Sequence, residues 1–135
     1  MKDLSDPRTF FKSYKARAHP PSVAEWRHPG DKPHGFPNTR PVSLAVGVFD
    51  GVHLGHQRLL DRVVADAATL DNGVSAVLTF DPNPARLTRP DSSIGDLSTR
   101  PLRIRLFGLF GIEEVMLVRF NRHFASIRGI DFLTR

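Results

Sequence analysis

The sequence has no cysteine in its 135 residues. That excludes a disulfide scaffold, a thiolate metal site and a cysteine nucleophile together, and it fits an intracellular protein. No apolar run approaches the roughly 20 residues that a membrane span needs, and no basic-then-apolar leader opens the chain. At this length a two-domain enzyme is excluded, and so is a large barrel with its own cover of helices. The composition, 40% hydrophobic and 24% charged, is that of a globular protein and not of a disordered or fibrous one.

Lysine is also missing from most of the chain. Residues 1–40 hold eight basic groups against four acidic ones, whereas residues 41–135 hold eleven arginines against ten carboxylates. The net charge of +5 is therefore largely a property of the front segment. A charge spread over the fold would suggest nucleic acid or a membrane surface; this one predicts neither as a partner. Six of the eleven prolines precede residue 41. Proline removes a backbone donor and turns its predecessor away from helix, so Ala18 to Pro41 is expected to be extended and irregular. Phe10, Phe11 and Tyr14 allow a short helix over Thr9 to Ala16. Residues 1–40 thus read as a basic, proline-rich arm and residues 41–135 as the body. Asp3, Asp6, Glu25 and Asp31 argue against a transit peptide.

In the body, Val42 to Val48 is mostly apolar with β-branched residues, the pattern of a buried strand. Leu59, Leu60, Val63, Val64 and Ala67 share one face of a helix over Leu54 to Leu70, and Gly73 is expected as its left-handed cap. Val74 to Phe80 reads as a second strand, Arg86 to Asp96 as a loop, Leu102 to Phe110 as a helix and Glu114 to Phe120 as a third strand. Gly129 to Leu133 is expected to open another helix. Strand, helix, strand, helix, strand with near-continuous apolar strands implies an α/β fold. Its core is a Rossmann-like parallel sheet, covered on both faces and joined by crossover helices.

Ligands of such sheets bind beyond the carboxyl ends of the strands. There the chain carries Gly47-Val48-Phe49-Asp50-Gly51-Val52-His53-Leu54-Gly55-His56-Gln57. His53 and His56, three apart on the first turn of a helix, face one side, and the helix N-terminus beside them favours an anion. Two imidazoles there suit a polyphosphate, because they can donate to oxygens that gain charge as a phosphorus becomes five-coordinate. Two plainer readings stay open. One histidine can be a helix cap and the other a surface residue, or the pair can share a zinc ion, for which the motif supplies no third ligand.

The stretch Gly47 to Gln57 resembles the signature of the bacterial FAD synthetases, the FMN adenylyltransferase module of bifunctional riboflavin kinase/FAD synthetases, within the His-x-Gly-His nucleotidyltransferases. Three further stretches resemble the family's segments. These are Thr79-Phe80-Asp81-Pro82-Asn83-Pro84, then Leu97-Ser98-Thr99 with Arg103 where lysine is usual, and Gly111 to Phe132. The resemblance runs from Val42 to Leu133. It implies a cytoplasmic enzyme that transfers the adenylyl group of ATP to FMN, giving FAD and pyrophosphate, with Mg²⁺ bridging the phosphates. By motif position His53 and His56 are the catalytic pair. Gly47, Val48, Phe49, Asp50 and Gly55 line the ATP site with them, and Asp81, Pro82, Asn83 and Pro84 form part of the FMN side.

Two departures qualify the resemblance. Asn83 stands where the family often has histidine and cannot carry its charge. The family's Gly-x-x-Phe-x-Phe-Gly stretch and its later Ser-Ser-Thr-x-Ile-Arg motif are not among these residues. The body is therefore expected to be the N-terminal portion of an adenylyltransferase domain with three parallel strands, open at an apolar edge and prone to pair with itself or with a partner chain. A binding-only remnant and a basic-armed interaction module are the alternative classes.

Overall fold

The computed structural model describes residues 19–31, 39–91, 95–128 and 130–131. The helix expected over Thr9 to Ala16 lies outside the described residues, and so does most of the arm. Of the helix expected over Gly129 to Leu133, only Ile130 and Asp131 are described, and both are helical.

Among the described residues the sheet has four strands where the sequence predicts three. β1 is Ser22–Trp26, β2 Val42–Val46, β3 Val74–Asp81 and β4 Glu114–Arg119, in the order β1-β4-β3-β2. All pairs are parallel. The extra strand comes from the segment expected to be irregular. No proline interrupts Ser22 to Trp26, and the stretch alternates, with Ala24 and Trp26 turned inward. Its register on β4, Ser22 against Glu114 through Trp26 against Val118, makes it a full member of the sheet.

Among the described residues the α-helices with both ends described are α1 (Leu54–Thr69), α2 (Pro84–Thr88), α3 (Arg100–Leu109) and α4 (Arg122–Ala125). α1 turns Leu60, Val63 and Ala67 inward, each such burial contributing about 1–3 kcal/mol, while Leu59 on the predicted face stays exposed. α3 buries Phe107, with Phe110 just past its end, and leaves Leu102 and Leu109 largely in solvent. α2 occupies part of the expected loop, because Asn83 caps it and Pro84 opens it. The left-handed residue after α1 is Asn72, with φ 54°, and not Gly73. Gly73 meets a different need: a Cβ there would fall on the Ala67 carbonyl oxygen.

The two faces of the sheet are covered unequally. One packs Ala45, Val77 and Val115 against Leu60 and Val63 of α1 and Phe107 of α3. The other gathers Ala24, Trp26, Leu78, Met116 and Val118 around Phe124 of α4, with the Trp26 and Phe124 rings edge to face at 5.3 Å. On β2 Leu44 and Val46 alternate with buried Ala45 and are 45% and 52% exposed. Among the described residues, then, the second face is bare over that edge strand.

Candidate functional site

β2 and β3 run side by side until Val46 pairs with Leu78, and the Gly47 amide then donates to the Leu78 carbonyl at 3.1 Å. Beyond that point each strand feeds a loop, and the sequence-predicted site residues lie on these two loops.

The first loop winds tightly. Phe49 has φ 55°, Gly51 73° and Val52 43°. A buried, β-branched valine with positive φ is costly and persists only where its surroundings over-determine it. Several contacts do so here. Phe49 is buried edge-to-face against Phe107, their centroids 5.4 Å apart. The Asp50 carboxylate accepts from the Leu97 and Ser98 amides, both at 2.9 Å, and from the Ser98 hydroxyl at 3.0 Å. The Gly51 amide donates to the same hydroxyl, and the Gln57 side chain donates to the Val52 carbonyl. Burial alone would raise the Asp50 carboxyl, but these hydrogen bonds, with the charge of Arg103, outweigh it and hold its pKa below the ordinary value.

The loop delivers His53 to the N-cap of α1. There its Nδ1 accepts from the His56 amide at 3.3 Å, so the neutral ring carries its proton on Nε2. The imidazoles stack, with centroids 3.6 Å apart and planes 18° from parallel, and His56 leans on Phe49 at 5.0 Å. A Cβ on Gly55 would lie 3.2 Å from the His53 ring, so the glycine makes room for the imidazole. Burial first, and the neighbouring His53 second, lower the His56 pKa against the opposing pull of Asp50. His53 is thus the cap that one plainer reading allowed, while His56 is half-buried and not a surface residue.

The second loop follows β3. The Asp81–Pro82 peptide is cis. The Asp81 carboxylate meets Arg119 at 2.6 Å, Arg100 at 3.6 Å and Arg103 at 3.9 Å. Asn83 accepts from the Ala85 amide as the cap of α2. The loops are joined beneath by Thr79, whose hydroxyl donates to the Val48 carbonyl at 3.0 Å, and by Arg103. Sequence reasoning names Ser98, Arg103, Thr79 and Gln57 within the family-like stretches without giving any of them a role. Arg103 carries one signal, since it shares an i, i+4, i+7 row with Phe107 and Phe110. A groove of about 890 Å³ between His19–Pro21, β1 and α3 is lined by none of the predicted site residues.

Among the described residues no three metal-binding side chains gather, and both oxygens of Asp50 are engaged. No helix among them is long and apolar enough to cross a membrane.

Comparison with known proteins places this arrangement. A family model described as FAD synthetase matches residues 36–135. The bifunctional riboflavin kinase/FMN adenylyltransferase of Bacillus subtilis (strain 168) is 38% identical over 93 residues, which are 67% of this chain and 28% of that protein. Its namesake from Pseudomonas fluorescens is 33% identical over 106 residues, 73% of this chain and 31% of its own length. The chain thus spans less than a third of these relatives. A crystal structure described as a macrolide-efflux protein from Streptococcus pneumoniae superposes with a TM-score of 0.69 at 27% identity, over 84% of this chain and 43% of that one. A match from residue 36 to residue 135 takes in both loops and every element between them, as a chance recurrence of a short histidine motif would not; the chain belongs to the FAD synthetase family.

Proposed function

We propose that the chain binds ATP over the turn between β2 and α1 and FMN beside the loop between β3 and α2, and that it transfers the adenylyl group from ATP to FMN. The observation that carries this reading is the stacked His53–His56 pair at the start of α1. The ring of His53 directs Nε2 away from the helix end that its Nδ1 caps. His56, its pKa lowered, is a neutral donor near neutral pH. Together with the Leu54 and Gly55 amides at the positive end of α1, they would hold phosphate oxygens and stabilise the charge that grows on them. An oxygen of the FMN phosphate attacks the α-phosphorus of ATP, the bond to the β-phosphate breaks, and FAD and pyrophosphate form without a covalent enzyme intermediate.

Magnesium would enter with the ATP phosphates, since the described residues provide no cage for it, and it would neutralise phosphate charge. The same reading places the chain in the cytoplasm beside both substrates. It also includes self-association, or pairing with a partner chain, through the bare β2 edge.

The test is to incubate the chain with ATP, Mg²⁺ and FMN and to look for FAD by chromatography. FAD should form, and His53→Ala should slow it by about 10²–10³-fold, the cost of losing a donor to a charged transition state. Retained ATP or FMN binding with no FAD would leave a binding module, and an unimpaired His53→Ala would overturn the phosphate assignment.

A further inference from the structure

Arg103 is the only charged side chain buried among the described residues, at 5% exposure. A guanidinium removed from water needs a carboxylate or a full set of acceptors. Arg103 has neither. Its nearest carboxylate, Asp81, lies 3.9 Å away and is already held by Arg119 at 2.6 Å, and its Nε is buried without a hydrogen bond among the described residues. Its short contacts go to backbone: Nη1 donates to the Val48 carbonyl at 2.7 Å and to the Phe80 carbonyl at 3.2 Å.

Those two carbonyls stand where the β2–β3 ladder has ended. The last pair is Val46 with Leu78. Val48 leads into the histidine turn, and Phe80 leads into the Asp81–Pro84 loop. Past the ladder two side chains tie the strands together: Thr79 of β3, whose hydroxyl donates to the Val48 carbonyl, and Arg103, whose single Nη1 reaches the carbonyls that lead into both loops. Arg103 is itself fixed, because α3 is anchored at Phe107 against Phe49. An apolar side chain of similar length would fill the space with no orphaned Nε, but it would not bridge.

We propose that Arg103 is a positioning residue whose guanidinium fixes the spacing of the two loops, so that filling the nucleotide side prepares the flavin side. This rests on the assignment of the loops to ATP and FMN made above. FMN affinity, read by flavin fluorescence, should rise at least about fivefold when a non-hydrolysable ATP analogue with Mg²⁺ is present. In Arg103→Met the two affinities should agree to within about twofold, while Arg103→Lys, which keeps the charge and several donors at its tip, should retain the linkage. Hydrogen exchange supplies a readout independent of ligands. In Arg103→Met the amides of Gly47 to Val52 and of Asp81, Asn83 and Ala85 should exchange about tenfold faster, with Leu60 to Ala67 of α1 unchanged. Loss of protection in α1 would mean that this variant has not folded, and Arg103→Gln then carries the same comparison.

Unchanged exchange in the loops overturns the proposal. So does linkage that survives Arg103→Met, or that is absent from the unaltered chain. If the unaltered chain binds neither ligand, the assignment of the loops fails, and the exchange result alone decides whether the clamp exists.

Discussion

The two loops that leave neighbouring strands are built from different materials. The turn after β2 is held mainly by buried side chains and by hydrogen bonds to neutral groups. Phe49 and Val52 are buried, and Asp50 accepts three hydrogen bonds from Leu97 and Ser98. The loop after β3 is held by charges in partial contact with water, Asp81 with its arginines and Arg86 with Asp96 at 2.9 Å. Contacts of the first kind fix geometry where their partners are buried, as Phe49, Val52 and Ser98 are. Those of the second kind are weakened by water and by salt. A pair of imidazoles held face to face needs the first kind. A loop that only borders a substrate can tolerate the second.

The largest way to break that contrast is Asp50→Ala. It leaves two amides and a hydroxyl without their acceptor in a partly buried place, at a cost of about 1–3 kcal/mol in urea unfolding. If Asp50→Ala proved as stable as the parent, the turn would not depend on its carboxylate, and the two loops would be alike in construction.

A smaller effect follows from His56. Its pKa is lowered by burial and by His53, so between that value and the ordinary 6.5 the unfolded chain binds the proton more readily than the folded one. Folding stability should therefore fall as the pH drops below about 6.5 and level off below the depressed value, and His56→Gln should remove that part of the fall. The urea midpoint, compared at about pH 7 and about pH 5 for the two proteins, reads it directly. Equal slopes would show that the histidine is not enclosed by the turn.

Local pattern made the centre of the sheet and the histidine turn legible. β2, β3 and β4 are apolar runs, α1 repeats at helical spacing, and the two histidines stand three residues apart behind a glycine-rich turn. What local pattern hides is a partner far along the chain. β1 is five residues between prolines, and its place depends on β4, some ninety residues later. Asp50 in a glycine-rich loop reads as a ligand-facing carboxylate, yet its oxygens face Leu97 and Ser98. Asn83 reads as a weakened site residue, while its oxygen is spent on capping α2. An arginine on a helix reads as solvent-facing, and only the row that Arg103 shares with Phe107 and Phe110 says otherwise. In each case the residue type was plain, and its role was set by tertiary packing that the neighbouring sequence does not encode.

The smallest effect is expected from Arg119→Gln. The Arg119–Asp81 pair is the shortest ion pair at the second loop, but its side chains are 38% and 26% exposed, and Arg100 and Arg103 remain beside Asp81 when Arg119 is gone. With the carboxylate still compensated and water able to reach it, the loss should stay below about 1 kcal/mol and shrink further in high salt. Urea unfolding of the variant at low and high salt measures both. A salt-independent loss above about 2 kcal/mol would mean that the pair behaves as a buried one, whose breaking strands a charge. The second loop would then be as firmly built as the first, and the division of labour between them would have to be sought in their chemistry instead of their rigidity.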